Sequence, residues 1–409
     1  MENDKEKTIT FKAWYICLTA SLYPFYAFIQ MNSLNVYGPH FIQQGSITLG
    51  ELGILSASYI YADAIFLLPA GILLDKFSTR TLLLTCLSLS ALGAALMAIS
   101  QQFPVIECAR IIAGIGHSFA LLGCFHLVAQ WFPARKQGFL IGLILTIALL
   151  GGLVAQSPSE LLIERFGIHT VLWLNVILGL LIGVIIWIIL PIKTTHSKTE
   201  MPTSQLWEGL KTAWCNSQNW LCGFYTCFLG LPLMLLGAVW GSTYLMTTKH
   251  LTALQASWIT SSIFLGTIIG SSLVGWISDT LQLRRLPMVT GAIGCLVLLL
   301  VALFTHGLPV SLLIILFFLL SISASTQVLG FPTIAESNPT KNRSTAMGFS
   351  NVIIVGGTAT FQLFFGALWA SVELRKYAII TLLMALIISI ILALLIKETL
   401  GNRTNSSFE

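Results

Sequence analysis

Three ionisable side chains interrupt stretches of the sequence that are otherwise apolar. They are Asp63, Arg110 and His117. An acid or base at bilayer depth costs about 2.5 to 3.5 kcal/mol on insertion scales, so such groups tend to face a cavity or a solute pathway. The planar guanidinium of Arg110 suits a carboxylate, while Asp63 would pair with an amine or carry a proton. Together the acid and the base match a zwitterion.

Both basic residues also have a structural interpretation. Glu107 lies three residues before Arg110, a spacing that makes them neighbours on a helix, so the two charges could simply neutralise each other. His117 lies on the same face as Arg110 and would be either a proton relay or a hydrogen-bonded interior histidine. The sequence leaves these alternatives open.

Neutral polar and aromatic side chains at helical spacing could line a cavity around these charges. Ser56, Tyr59 and Asp63 form one polar stripe on an apolar helix. Aromatic pairs at such a spacing, for example Trp240 and Tyr244, also occur as ordinary packing. The further candidates for a cavity wall are Tyr26, Gln30, Trp240, Gln327, Asn351 and Gln362.

The elements that must position these residues are transmembrane helices. The 409 residues are 56% hydrophobic and 9% charged, with a mean hydropathy of +0.86, whereas a soluble domain carries about 25% charged residues. A spanning helix needs about 20 apolar residues and satisfies its own backbone in lipid. We predict an all-α membrane protein with twelve transmembrane helices in two six-helix bundles, at 13–37, 51–74, 81–101, 104–131, 138–160, 168–191, 217–247, 254–278, 287–305, 309–334, 344–370 and 376–396.

The two bundles are predicted to be duplicated halves related by a pseudo-two-fold axis. Gly71, Asp75 and Arg80 are followed 204 positions later by a glycine, an acid and a base, and Lys76 adds a second base to the first copy. Self-similarity at a fixed offset is the sign of an internal repeat. The second copy consists of Gly275, Asp279, Arg284 and Arg285.

The basic residues predict the orientation in the membrane. With the N-terminus inside, 16 of the 21 Lys and Arg residues fall on the cytoplasmic side, as the positive-inside rule requires. We therefore expect an N-terminal bundle at 1–192, a cytoplasmic linker at 193–215, a C-terminal bundle at 216–409 and both termini in the cytoplasm. The net charge of +5 follows from this loop bias, so no nucleic-acid partner is expected.

Other classes of chemistry are disfavoured. The eight cysteines lie in or beside predicted helices, which implies no disulfide framework. Cys222 and Cys227 point about 140° apart on a helix and have no histidine at a ligand spacing, so no metal site is expected. The sequence offers no nucleophile–base pair and no phosphate loop, so we expect neither an enzyme nor a cofactor.

The signature loops resemble those of the major facilitator superfamily of secondary transporters. The resemblance lies in the run from Gly71 to Arg80, in its second copy from Gly275 to Arg285, and in Arg110-Ile-Ile-Ala-Gly114-Ile-Gly116. Two positions depart from the pattern: Ser78 replaces a usual glycine, and Gly151-Gly152 lacks an adjoining proline. The resemblance covers the whole chain and implies the twelve-helix fold, a small-molecule substrate and a bilayer location.

Shorter segments are similar to the phagosomal nutrient transporters of intracellular bacteria, which move amino acids or nucleosides. These segments are Tyr59-Ile-Tyr61-Ala62, Trp131-Phe132-Pro133 with Arg135, Gln156-Ser157-Pro158 and Ile334-Ala335-Glu336-Ser337-Asn338-Pro339. Lysosomal dipeptide transporters are a more distant match. The similarity implies a multi-pass protein of the bacterial inner membrane, which we expect to be a monomer.

The signature charges are predicted to form a conformational latch. An acid beside bases in a short loop could pair with charges on the opposite bundle and hold one access state. The alternative is that these charges only set topology and cap helices. The predicted latch residues are Gly71, Asp75, Lys76, Arg80, Gly275, Asp279, Arg284 and Arg285.

The sequence therefore predicts a transporter of a small polar organic solute that works by alternating access. An amino acid is favoured as the substrate because one acid and one base lie near mid-depth. Transport would be coupled to protons or facilitative. The alternatives are a nucleoside or dipeptide transporter, an exporter of a siderophore or drug, and a membrane sensor that transports nothing.

Overall fold

The computed structural model describes residues 11–100, 102–191, 203–305, 307–339 and 342–400. A π-helical turn covers Pro232–Gly237 and a 3-10 turn covers Ser325–Leu329. The α-helices, in chain order, are α1 (Phe11–Ala20), α2 (Leu22–Asn32), α3 (Leu34–Gln43), α4 (Leu49–Lys76), α5 (Thr79–Ile99), α6 (Phe103–Trp131), α7 (Ala134–Val154), α8 (Ser157–Phe166), α9 (Ile168–Ile189), α10 (Thr203–Cys215), α11 (Ser217–Leu231), α12 (Gly241–Thr248), α13 (Ala253–Leu281), α14 (Arg285–Phe304), α15 (Val310–Ala324), α16 (Gly330–Glu336), α17 (Arg343–Ala370) and α18 (Arg375–Leu395).

The predicted helical fold is confirmed. Within the described ranges, ten helices are long and apolar enough to cross a membrane. The other two predicted spans, 13–37 and 51–74, correspond to the broken series α1–α3 and to α4. The described residues form two compact units. Unit 1 comprises those within Met1–Ile47 and Ser58–Lys198, and unit 2 those within Thr48–Ala57 and Thr199–Glu409.

The duplication is visible at the start of two long helices. At α4, the backbone N–H of Thr48 donates to Glu51 Oε2 at 2.6 Å, and that of Glu51 donates to Thr48 Oγ1 at 3.3 Å. Thr252 and Gln255 form the same reciprocal pair at α13, at 3.1 and 3.2 Å. Such a capping box satisfies two N–H groups that a helix start leaves unpaired. The two positions of the box recur 204 residues later, with Thr48 matched by Thr252 and Glu51 by Gln255, which is the offset of the signature loops.

Helix neighbours repeat in the same way. In unit 1, α5 packs against α6 and α9, and α2 packs against α7. In unit 2, α14 packs against α15 and α18, and α11 packs against α17. The third span of each half thus contacts the fourth and the sixth, and the first contacts the fifth.

One glycine sets the approach of α6 to α4 in unit 1. A Cβ on Gly114 would lie 2.3 Å from the backbone oxygen of Tyr59 and 3.0 Å from the Cβ of Ala62. Only a residue without a side chain permits this backbone contact. The close approach places Tyr59 of α4 beside Arg110, one turn earlier on α6.

Several spans are interrupted within their length. The first span breaks at Ser21 and Ser33, and the fifth breaks between Val154 and Ser157. The seventh contains the π-helical turn and the tenth the 3-10 turn. Interrupted transmembrane helices expose backbone groups that bind solutes and ions in transporters, so these breaks point to where a site could form.

Candidate solute-binding site

The break at Ser33 creates a binding position for Arg110 in unit 1. Arg110 Nη1 donates to the carbonyl oxygen of Gln30 at 2.6 Å, and Nη2 donates to that of Met31 at 3.4 Å. Its guanidinium carbon lies 4.2 Å from the centroid of the Tyr59 ring, a cation–π distance. Only 1% of Arg110 is exposed. The buried cation therefore fastens α6 to the end of α2.

The break in the fifth span meets the break in the first. Gln156, fully buried between α7 and α8, accepts a hydrogen bond from Asn35 Nδ2 at 2.6 Å. Its Nε2 donates to the carbonyl oxygen of Asn32 at 3.4 Å. Two interrupted helices are thus joined through side-chain amides where their own backbone hydrogen bonds stop.

A buried cluster of amides and phenols surrounds this junction. Gln30 Nε2 donates to the Tyr26 hydroxyl at 2.8 Å and to Asn175 Oδ1 at 3.1 Å. Asn175 Nδ2 in turn donates to the Tyr37 hydroxyl at 3.4 Å. The structure therefore brings the predicted pair Tyr26 and Gln30 together. Sequence reasoning missed Asn175, although an asparagine in so apolar a span as Ile168–Ile189 is itself a signal.

His117 lies in the interior of unit 1. Its Nδ1 is 2.9 Å from the Tyr59 hydroxyl, which also donates to the carbonyl oxygen of Ala27 at 3.2 Å. The imidazole packs between the rings of Phe28 and Tyr59, each with its centroid at 5.5 Å. This geometry favours the interior histidine of the two alternatives, and the proton-relay role stays a prediction.

Asp63 lies one helical turn after Tyr59 on α4. Its Oδ1 atom is buried and has no hydrogen-bond partner within the described part of the chain. Glu107, the other acid near Arg110, accepts a hydrogen bond from Ser58 Oγ at 3.5 Å. A buried carboxylate oxygen without a donor is costly, so the described fold leaves Asp63 with an unsatisfied acceptor.

The remaining site candidates lie in unit 2. Gln362 is fully buried on α17, where its Nε2 donates to the carbonyl oxygen of Met234 at 2.8 Å and its Oε1 accepts from Ser56 Oγ. Gln327 is half-buried in the 3-10 turn, and its Oε1 lies 2.3 Å from where a Cβ on Gly230 would be. Asn351 is half-buried on α17.

Trp240 belongs to an aromatic cluster with Tyr244, Phe365 and Trp369 in unit 2. The rings of Phe365 and Trp369 are stacked at 5.6 Å, and Trp240 and Tyr244 contact this pair at 5.7 and 5.8 Å. Trp240 is fully buried. The geometry favours the packing interpretation of Trp240 and Tyr244.

The second signature copy forms a charge cluster within unit 2. Arg284 Nη1 pairs with Asp279 Oδ1 at 2.7 Å, and Nη2 pairs with Glu336 Oε1 at 3.1 Å. Burial by itself would lower the pKa of Arg284, but the hydrogen bonds and charges of Glu336 and Asp279 outweigh it and raise this pKa above its ordinary value. The latch role of these residues stays a prediction.

The structure corrects the register of the repeat by one residue at Arg80. Arg80 Nη2 donates to the carbonyl oxygen of Trp187, near the end of the sixth span. The residue that does the same in unit 2 is Arg285, whose Nη2 donates to the carbonyl oxygen of Leu394 near the end of the last span. Arg285, and not Arg284, is therefore the structural counterpart of Arg80. The burial of Gly71 and the side chains of Asp75 and Lys76 lie outside what the structure describes, and Gly275 lies on α13.

Glu398 fixes the start of α14 and was missed from the sequence. Its carboxylate accepts from the backbone N–H groups of Arg284 at 2.8 Å and Arg285 at 2.9 Å, and also from Thr399 and Leu400. Burial alone would raise the pKa of Glu398, but these four N–H donors lower it below its ordinary value. Thr399 Oγ1 donates to Glu336 Oε2 and joins the cap to the charge cluster.

The chain matches the family model of the Major Facilitator Superfamily over residues 20–239 and 222–409. It is 23% identical over 331 residues to the gallate transporter of Pseudomonas putida, which covers 74% of this chain and 73% of that protein. It is 24% identical over 179 residues to an uncharacterized MFS-type transporter of Bacillus subtilis (strain 168), covering 43% of this chain and 38% of that protein.

A similar fold is seen in the crystal structure of a D-xylose-proton symporter. The two structures superpose with a TM-score of 0.76 at 16% sequence identity, covering 94% of this chain and 97% of the other. At this identity the likeness concerns the fold alone.

Proposed function

Since the chain belongs to the Major Facilitator Superfamily and is a membrane transporter of a small solute, we propose that its substrate is an amino acid and that transport is coupled to protons. The observation that carries the proposal is the buried Oδ1 of Asp63, which has no partner in the described structure. Asp63 follows Tyr59 by one helical turn on α4, and the Arg110 guanidinium carbon lies 4.2 Å from the centroid of the Tyr59 ring. An acid and a base that share one aromatic neighbour along the chain or in space match a zwitterion.

The partners of Arg110 support this assignment. The carbonyl oxygens of Gln30 and Met31 position the guanidinium and add no negative charge of their own. A guanidinium in a buried site attracts a carboxylate strongly, since the local dielectric is low. Protonation of Asp63 would change the net charge of the same site, so loading of a proton and of a substrate would influence each other.

The wider mechanism follows the family. We propose that the two predicted bundles, 1–192 and 216–409, alternate access to the site, that both termini are cytoplasmic, and that the protein acts as a monomer in a bacterial inner membrane. The predicted similarity to phagosomal nutrient transporters favours an amino acid or a nucleoside over a drug or siderophore.

The substrate is identified first by a thermal-shift screen of the purified protein against amino acids, dipeptides and nucleosides. A ligand that binds only the folded state raises the apparent stability. An amino acid should give the largest shift. A shift with nucleosides alone would contradict the zwitterion assignment.

Proton coupling is tested with Asp63→Asn in proteoliposomes. The variant should lose accumulation driven by a proton gradient and keep counterflow exchange, because exchange needs no net proton movement. Glu107→Gln is the matched control, since Glu107 is the neighbouring acid and receives its hydrogen bond from Ser58. Gradient-driven uptake that survives in Asp63→Asn, or that is lost equally in both variants, would refute the role of Asp63.

The role of Arg110 is tested by the substrate as well as by the variant. Arg110→Lys keeps the charge but loses the planar fork, and a charge-assisted hydrogen bond is worth about 1.5 to 3 kcal/mol. Affinity for the amino acid should therefore fall roughly tenfold to over a hundredfold. The carboxamide analogue should bind the native protein poorly and lose little further in the variant. Equal losses for both ligands would assign Arg110 a purely structural role.

A further inference from the structure

A groove on the surface of unit 1 runs between α5 and α9. Its volume is about 330 Å³. Large apolar side chains beside it are exposed, including Leu180 at 58% and Val184 at 53%, as expected of a face that meets lipid in a transporter. The groove is lined by short and aliphatic side chains, among them Leu84, Ser88, Ala91, Gly179, Gly183 and Val184.

The groove exists because both helices carry small residues along this line. A Cβ on Gly179 would lie 2.6 Å from the Tyr26 hydroxyl, so this glycine faces the protein and lets α9 pack closely. One turn later, a Cβ on Gly183 would lie 3.6 Å from Leu87 Cδ2, which is ordinary contact. Side chains of α5 and α9 line the space beside these positions without filling it. An apolar cleft open to the hydrocarbon region suits an acyl chain.

One end of the groove carries a fixed cation. Trp187 lines the groove, and its backbone carbonyl oxygen accepts a hydrogen bond from Arg80 Nη2. This contact holds the guanidinium at the end of α9 without neutralising it. The Trp187 side chain is 61% exposed, and exposed tryptophans are typical of the headgroup level. A cation in a pocket between transmembrane helices at this level suits an anionic lipid headgroup.

We propose that this groove binds an anionic phospholipid, with one acyl chain between α5 and α9 and its phosphate at Arg80. The proposal concerns the lipid partner of the protein and does not depend on which solute is transported. The apolar lining selects a chain, and the guanidinium selects a negative over a zwitterionic headgroup because it forms charge-assisted bonds with phosphate.

The second half supplies a matched control. Arg285 makes the same contact with the last span as Arg80 makes with the sixth. Arg285 has the Glu398 carboxylate bound to its own backbone N–H at 2.9 Å, and among the side chains that the structure describes Arg80 has no such carboxylate contact. A carboxylate bound to the backbone of the same residue repels an approaching phosphate, so Arg285 should contribute much less to binding an anionic lipid.

The experiment measures lipid retention by native mass spectrometry after exchange into detergent with phosphatidylglycerol or phosphatidylcholine of identical chains. The native protein should retain phosphatidylglycerol preferentially. Arg80→Gln should reduce that preference about fivefold, because one basic residue near a charged lipid surface is worth about 1 kcal/mol. Arg285→Gln should leave the preference close to native.

The groove itself is tested with Ser88→Leu. Ser88 is exposed on α5, so the larger side chain should fill the groove without disturbing the core, and retention of both lipids should fall. Glycerol phosphate, which has the headgroup but no chain, should fail to displace phosphatidylglycerol. The proposal is overturned if Arg80→Gln keeps the native preference, if Arg285→Gln loses it equally, if Ser88→Leu retains lipid as before, or if glycerol phosphate competes as well as the lipid.

Discussion

Gly114→Ala should destabilise unit 1 through a single methyl group. The added Cβ would lie 2.3 Å from the backbone oxygen of Tyr59. A backbone atom cannot rotate away as the end of a flexible side chain can, so α4 and α6 must move apart. This movement would also stretch the contact between Arg110 and the Tyr59 ring, which are now 4.2 Å apart.

The expected magnitude comes from two opposing effects. Replacing glycine by alanine inside a helix gains about 0.5 to 1 kcal/mol of backbone entropy. Forcing a methyl group into a well-packed interface costs about 1 to 3 kcal/mol. We expect the cost to dominate because the contact is with the backbone of α4, so the free energy of unfolding should fall by about 1 to 2 kcal/mol.

Gly142→Ala is the matched control for this change. Gly142 lies on α7 and a Cβ there would meet nothing within 4 Å, so only the gain of about 0.5 to 1 kcal/mol remains. Unfolding in mixed micelles of SDS and a mild detergent measures both variants. Opposite signs are expected. A Gly114→Ala protein as stable as Gly142→Ala would refute the close approach of α4 and α6 and, with it, the positioning of Arg110.

Three further experiments test contacts described above. Glu398→Gln should lower the stability at pH 7 by about 0.5 to 2 kcal/mol, as loss of a helix cap does. Because the pKa of Glu398 is lowered in the folded protein, its contribution to stability is fully present above the ordinary glutamate pKa of about 4.3 and is lost as the pH falls through the folded pKa. The free energies of unfolding of the native protein and the variant should therefore converge in acid. A difference in stability that does not change with pH would contradict the cap. Arg284→Met should cost about 1 to 3 kcal/mol by leaving partly buried Glu336 without its cation, and adding Glu336→Gln should restore part of that loss in the same unfolding assay. Gln156→Leu and Asn35→Ala should show non-additive losses in a double-mutant cycle, whereas additive losses would argue against their 2.6 Å bond.

Periodicity and composition predicted the helices well because the need to satisfy the backbone in lipid leaves few alternatives. The repeat was equally readable, since Gly71 and Gly275 share the offset at which the capping boxes of Thr48 and Thr252 recur. The offset failed locally at Arg80. The structural counterpart of Arg80 is Arg285 and not Arg284. Each of these two arginines donates to a backbone carbonyl oxygen near the end of the sixth span of its own half, although they are 205 positions apart in the sequence.

The site was predicted less completely because its partners are distant in sequence. Arg110 was expected to contact Glu107 or a substrate, and nothing in the sequence indicates that it donates to carbonyl oxygens of a helix break 80 residues away. His40 and Glu160 were likewise not singled out, although His40 Nε2 lies 3.0 Å from Glu160 Oε1 and only 2% of the Glu160 side chain is exposed. Contacts of this kind depend on which helices become neighbours, and the spacing of residues within one helix carries no information about that.

The cap that Glu398 places on α14 has a consequence for the order in which the protein matures. The cap and the N–H group of Arg285 that it binds are 113 residues apart in the chain. At about 5 to 20 residues per second, a ribosome makes Arg285, at the start of α14, roughly 6 to 23 seconds before it makes the residue that caps it. During that interval the backbone N–H groups of Arg284 and Arg285 have to donate their hydrogen bonds to water at the membrane surface. The start of α14 is therefore anchored only after α18 has been made, because the capping carboxylate follows that helix in the chain.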